Sequence, residues 1–226
     1  MRTLITLIVL LTTALEVPAG ELRGTWFKIV AGKAVVRVFD GTRFYTIFQD
    51  RTGRIAYYAT GTYKLEKTQV TYTYEGGFPK EVFQTGKVDS EPVEVRLDSL
   101  TIGIGDKKMS FARLKEGTQD PVDTGKIHET IHEVSEADGI PKRINAPAIG
   151  YPHQFRKEGI EGIVIEEVVI GQDGSIVGAR SLGSNHTLFV AEVASAIRKF
   201  RYDPPTINGQ PACVRMFIPF IFGFEK

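Results

Sequence analysis

Cysteine is almost absent. Cys213 is the single one in 226 residues, which excludes an internal disulfide and leaves apolar cores to hold the fold. Neither sign of charge is in excess: 28 Lys and Arg face 27 Asp and Glu, a formal net charge of +1. That balance gives no long-range pull toward nucleic acid or an acidic membrane, so no nucleic-acid partner is expected. Long apolar runs are also missing. The strongest, Leu4 to Leu15, is well short of the roughly 20 residues that span a bilayer. There is no Gly-x-Ser-x-Gly elbow and no phosphate-binding loop. No cofactor is expected. Cys213 falls in a predicted strand with no His nearby in sequence, the setting of a small buried thiol rather than a nucleophile. Glu166 and Glu167 are adjacent on a strand and point to opposite faces, so they cannot converge on one substrate. These absences exclude the common catalytic classes.

What is present is a folded composition, 42% hydrophobic and 24% charged. Residues 1–19 read as a secretory signal. Arg2 gives the positive start, Leu4 to Leu15 the apolar core, and Val17 to Ala19 the small residues before a cut. The alternative is an uncleaved, tilted inner-membrane anchor. No cysteine follows the apolar core, which argues against a lipid anchor.

Residues 21–115 have period two. "KAVVRVFD", "RFYTIFQD", "RIAYYATGTYKL", "QVTYTYEG", "PVEVRLDSLTIGIG" and "KMSFARL" are rich in Val, Ile, Thr, Tyr and Phe. Asp40-Gly41, Thr52-Gly53 and Glu75-Gly76-Gly77 are read as the turns between them. The pattern predicts an antiparallel barrel or sandwich of about six to eight strands. Residues 116–139 are acidic, poor in large apolar side chains and interrupted by Gly and Pro, and read as a linker with a short helix around Ile127 to Ser135.

From residue 140 to 226 the pattern changes again. "PHQFRKEG" suits a short helix ended by Gly159. Ile160 to Ile170 is an apolar strand, "GQDG" a turn and "SIVGARSLG" a second strand. Thr187 to Tyr202 reads as a helix with Phe189, Val193, Ala196, Ile197 and Phe200 on one stripe. Pro204 and Pro205 stop it. Asn208-Gly209 turns the chain into a last strand, "ACVRMFIPFIFGF". The class is α+β, with a C-terminal two-layer αββαβ domain of one long helix on a three-stranded antiparallel sheet.

The order and residues of this region resemble the C-terminal domain of TonB proteins, the periplasmic ends of Gram-negative energy transducers. The resemblance rests on Tyr151-Pro152, Ile160 to Gly162, Asp173-Gly174, "RKFRYDP" at Arg198 to Pro204, "NGQP" at Asn208 to Pro211 and "IPF" at Ile218 to Phe220. It covers about residues 140–224. It implies a binding module that meets an outer-membrane TonB-dependent receptor, or another envelope protein, by strand pairing along the edge of the last strand. The residues implied are Gly150, Tyr151, Cys213, Arg215, Phe217, Ile218, Pro219 and Phe220. Pro219 suits an edge strand, since a central one would lose a ladder bond. Dimerisation through the same edge is the competing use. Phe200 stands where the family usually has Trp, and Glu166 and Glu167 interrupt the first strand. The uncleaved N-terminal helix and long Pro-rich linker of a full transducer are replaced by a signal peptide and a β domain.

That β domain is similar to small bacterial lipocalin-like domains. "LRGTW" opens it, "YYATGTYKL" lies mid-domain and "SFARL" closes it. The resemblance implies that Trp26 plugs one end of a barrel and that Arg113 packs on its ring, a contact worth about 0.5–2 kcal/mol. It also opens an alternative function, a periplasmic carrier of a small apolar ligand. A core filled by Phe44, Tyr58, Tyr63 and Tyr72 would argue against a carrier.

"HETIHE" contains His-Glu-x-x-His. On a helix, His128 and His132 could hold zinc with Glu129 as base, the pattern of a metalloprotease. The downstream "VSEADG" supplies no third His, and His153 and His186 belong to another domain. No metal site is therefore expected. The sequence predicts a non-enzymatic periplasmic protein of the TonB family.

Overall fold

In a computed structural model the structure describes residues 22–103, 105–116 and 129–223. The expected signal peptide and half of the expected linker, residues 117–128, lie outside the described residues. No helix among the described residues is long and apolar enough to cross a membrane.

Eight strands follow one another around a closed barrel: β1 (Gly24–Val30), β2 (Lys33–Phe39), β3 (Arg43–Gln49), β4 (Ile55–Glu66), β5 (Gln69–Phe78), β6 (Val88–Arg96), β7 (Ser99–Ile102) and β8 (Met109–Arg113). Each pairs with the next, and β1 closes on β8 through Trp26↔Arg113 and Phe27↔Ala112. The choice between barrel and sandwich is thereby settled. Trp26 is fully buried, its indole N–H donates to the Leu22 carbonyl at 2.9 Å, and the Arg113 guanidinium lies 4.6 Å from its ring.

Asp40-Gly41 and Thr52-Gly53 do turn the chain, but Glu75-Gly76-Gly77 lies inside β5. Those glycines serve close approach instead. A Cβ on Gly77 would sit 2.4 Å from the Tyr58 carbonyl oxygen.

Alternation along the strands divides their side chains between two cores. Phe39, Phe44, Tyr63, Tyr72 and Phe111 fill the barrel interior around the part-buried Arg37, which donates to Tyr72 and Glu91 at 2.8 Å each. Ala34, Val36, Val38, Tyr45, Ile47 and Tyr58 point outward into a second core shared with the C-terminal region. Tyr58, named with Phe44, Tyr63 and Tyr72 as a residue that could fill the barrel, instead faces that second core. Strands β2 to β4 are thus apolar on both faces because both are covered.

The C-terminal region begins before residue 140. It comprises β9 (Lys115–Glu116), β10 (Ile131–Glu133), a 3-10 turn at Val134–Glu136, β11 (Arg143–Asn145), helix α1 (His153–Glu158), β12 (Gly162–Ile170), β13 (Ile176–Ser184), helix α2 (Thr187–Ile197), β14 (Arg201–Tyr202), β15 (Thr206–Ile207), β16 (Gln210–Pro211) and β17 (Cys213–Phe222). Gly159 ends α1 in the left-handed conformation, φ 67°. The main sheet has five strands, not the expected three, in the order β10-β17-β12-β13-β9. The two additional strands come from the stretch expected to be a linker and from the end of the barrel. The expected helix around Ile127 to Ser135 is likewise replaced, among its described residues, by β10 and the 3-10 turn. This stretch is anchored: Val134 and Ala137 are fully buried, and Asp138 accepts bonds from Thr206, Asn208 and Gly209.

Helix α2 also ends earlier than expected. Arg201 caps its end by donating to the Arg198 and Phe200 carbonyls, and Arg201–Tyr202 pairs with β11. Phe189, Val193, Ala196 and Ile197 are its buried residues. They lie on one face of the sheet, and the barrel covers the other. The expected two layers are therefore three, since β12 and β17 are apolar on both faces and both need cover.

Candidate functional site: the outer edge of the last strand

Strand β17 pairs with the whole of β12, from Gly162↔Phe222 to Ile170↔Val214. The register assigns its side chains. Phe220 meets Phe200 at 5.5 Å between ring centroids and Phe222 stacks on Phe189 at 4.2 Å, so these residues and Ile218 face α2. Phe217 meets Tyr45 edge-on at 4.5 Å, so Phe217, Arg215 and Pro219 face the barrel. Gln49 of β3 donates to the Pro219 carbonyl at 2.9 Å. That carbonyl points away from β12, and so would the N–H that proline lacks, which is why proline fits there.

The outer edge is not bare. Its first three residues pair in parallel with β10: Ile131↔Cys213, His132↔Val214 and Glu133↔Arg215. Arg215 ties the junction together. Its Nε donates to Glu133 Oε1 at 3.1 Å and its Nη2 reaches the same oxygen. Its Nη1 donates to Glu167 at 3.3 Å, and Nη2 lies 3.5 Å from the Tyr45 hydroxyl. Burial by itself would lower the Arg215 pKa. The bond and charge of Glu133, with Tyr45 and Glu167, outweigh it and hold the guanidinium above its ordinary value. Glu167 is also gripped by Arg180 at 2.5 Å.

Cys213 donates its thiol to Glu129 at 2.7 Å. Burial first, and then the Glu129 carboxylate, pushes that thiol up to about 11. A thiol held that high stays protonated near neutrality. Glu129 is thus a partner of Cys213, and His132 pairs with Glu136 at 3.2 Å in an extended segment rather than a helix. His128 lies outside the described residues. Among the described residues no three His, Cys, Asp or Glu side chains cluster as a metal site would need.

Beyond Glu133 the chain leaves the edge at the 3-10 turn. A cleft of about 530 Å³ lies there. Ile55, Phe78, Ile140, Lys142, Met216 and Ile218 are among the residues that line it. The other two predicted residues are elsewhere. Tyr151 packs edge-on against Phe189 and Phe222 at the far end of β17, and Gly150 lies against Glu192 of α2. The structure thus brings Cys213 and Arg215 together with β10, buries Phe217, Ile218, Pro219 and Phe220 between the layers, and sets Gly150 and Tyr151 apart.

Glu133, Glu167, Tyr45 and Gln49 were not anticipated as site residues. The alternation of Ile131, His132 and Glu133 was a weak strand signal, masked by the metal-like His-Glu-x-x-His pattern over the same residues.

Residues 147–224 match the family model for the Gram-negative bacterial TonB protein C-terminal. This part of the chain carries a TonB C-terminal domain. Over 76 residues it is 33% identical to the protein TonB of Vibrio cholerae, a match covering 33% of this chain and 31% of that protein. The chain therefore spans about a third of that relative's length. The solution structure of the Pseudomonas aeruginosa TonB C-terminal domain is 28% identical, covers 44% of this chain and 97% of that one, and has a TM-score of 0.33. A crystal structure of an uncharacterized protein from Bacteroides eggerthii is 16% identical over 40% of this chain and 98% of that one, with a TM-score of 0.29. The family match takes in β12, β13, β17 and both helices. It leaves out the barrel and β10.

Proposed function

We propose that this is a non-enzymatic, exported periplasmic protein with a TonB-like part in envelope energy transduction, whose C-terminal domain pairs with an extended segment of an outer-membrane receptor along β17. One observation carries this reading: inside the matched domain, the outer ladder of β17 already accepts an extended segment, Ile131–Glu133. An edge that pairs one strand through its backbone is competent to pair another of the same form. The adjoining cleft could take side chains of a segment that runs on past Arg215.

The barrel then serves as a mount. It covers the second face of the sheet through Tyr45, Ile47 and Tyr58. The carrier alternative finds less support, because Phe44, Tyr63 and Tyr72 pack with Arg37 inside the barrel.

A photo-crosslinking side chain placed at Lys142, exposed at the cleft, tests the proposal in cells of the source organism. The expected product is a conjugate with the periplasmic N-terminal segment of an outer-membrane receptor, identified by mass spectrometry. The same probe at Lys199, on the exposed side of the chain just after α2, should give none. Receptor conjugates in equal yield from both positions, or none from Lys142, would end this proposal.

A further inference from the structure

We infer that Ile131–Glu133 is an intramolecular occupant of the partner site, which an acidic extended segment must displace before β17 can bind it. This rests on the strand-pairing proposal and adds a regulation to it. Three observations lead there. First, β10 lies on the edge that a partner would use, at Cys213, Val214 and Arg215. Secondly, β10 falls outside the matched family domain, which begins at residue 147. The occupant is thus an addition carried by this chain and not a strand of the domain itself. Thirdly, its backbone hold on the edge is short. The strand is three residues long and pairs in parallel, the less stable arrangement per residue. Ile131 is 37% exposed and belongs to neither core.

The bonds at this junction are between side chains as well as backbones. Glu133 takes two donors of Arg215, and Glu129 takes the Cys213 thiol. If Ile131–Glu133 leaves, Arg215 keeps Glu167 and Tyr45 but loses Glu133. A half-buried guanidinium favours an incoming carboxylate at that register. The segment that replaces β10 should therefore carry an acid opposite Arg215. Val134, Ala137 and Asp138 anchor the turn just after β10, and Glu133 caps that turn with an N–H donated to Glu136 at 2.9 Å, so the edge is released by swinging the segment before Val134 about the anchored turn.

The block is quantitative. A partner's apparent affinity falls in proportion to the fraction of molecules whose edge is free. A free fraction of about a tenth or less would weaken binding at least tenfold.

The test uses the full chain and a labelled synthetic peptide, Glu129–Glu136 of its own sequence, added in trans. A His132→Pro, Glu133→Ala double variant removes the backbone donor at the centre of β10 and its ion pair. It should bind the peptide at least tenfold more tightly than the wild type. A peptide with Ala at the Glu133 position should bind this variant at least tenfold more weakly than the parent peptide. Circular dichroism and Trp26 fluorescence establish that the protein is folded, and Glu133→Ala alone serves if the proline is not tolerated. Equal, measurable binding by wild type and variant would overturn the block while leaving strand pairing intact. Loss of all peptide binding by a folded, strand-released variant would overturn strand pairing itself. Indifference to the acid would remove the role given to Arg215.

Discussion

Arg215 and Glu133 sit opposite each other in register on neighbouring strands, and one edge of the guanidinium turns both Nε and Nη2 to the same Glu133 oxygen. The remaining nitrogen goes to Glu167. One side chain of the matched domain thus fastens a strand from outside it to the middle of the sheet. The side chain of Glu167 is 4% exposed and that of Glu133 15% exposed, so removing the arginine leaves carboxylates in a poor environment.

Arg215→Ala should therefore lower stability by about 2 kcal/mol, less than for a fully buried pair because Arg215 is itself partly solvated. Arg180→Ala should cost under about 1 kcal/mol, since Arg215 still serves Glu167. Urea unfolding of both variants measures the difference. Equal losses would mean that Arg215 does not have the central place the geometry gives it.

The barrel and the C-terminal sheet share one core. An acidic linker between independent units suggests that a fragment starting near Ile140 should unfold cooperatively by itself. That fragment would lack β10 and would expose Phe217, Pro219 and Ile221. Phe217→Ala in the full chain should cost about 3–5 kcal/mol, the usual range for a buried Phe. Trp26, inside the barrel, should report the shift in the same single urea transition. A Trp26 transition unmoved by Phe217→Ala would mean that the two regions unfold independently.

How much was legible follows from which interactions are local. The strands of the barrel were readable because Val, Ile, Tyr and Phe alternate along them, and α1 because Gly159 punctuates its end. The face of β17 turned to α2 was readable in combination with the stripe at Phe189, Val193 and Ala196. The second face was not, because an apolar strand position looks the same whether an adjacent helix or a distant barrel covers it. Tyr58 shows the difficulty: period two places it on one side of β4 but does not say which side is inside. Strand β10 was illegible for another reason. Three residues carry little periodicity, and their pairing partner lies some eighty positions away. The carboxylates at Glu129 and Glu133 looked solvated in sequence, and only the fold brings Cys213 and Arg215 to them.

Where β1 meets β8, Arg113 lies over the Trp26 ring, 4.6 Å from its centre. Arg113→Ala should lower stability by about 1–2 kcal/mol, from the lost cation–π contact together with the apolar stem that covers the ring. It should also make Trp26 more accessible to iodide quenching in the folded protein. Unchanged quenching would show that other side chains cover the ring without it.

Glu166 gives the fold a pH dependence opposite to that of a salt-bridged carboxylate. It is 3% exposed, its Oε1 has no hydrogen-bond partner, and its register neighbours are Ser181 and Ile218. Burial pushes its pKa up from 4.5 to about 7. The unfolded chain releases this proton near pH 4.5, whereas the folded chain keeps it until about 7. Between those values the unfolded state gains the ionised form first, so stability falls as pH rises. The penalty is complete above pH 7 and amounts to about 3 kcal/mol at about 1.4 kcal/mol per pKa unit. Glu166→Gln removes the titration. The wild type should therefore lose stability between pH 5 and pH 8 relative to this variant, and the variant should be the more stable of the two at pH 8. Urea midpoints at both pH values decide the matter. A variant that tracks the wild type across the whole range would mean that Glu166 is already ionised in the folded protein and is solvated by water that reaches the sheet.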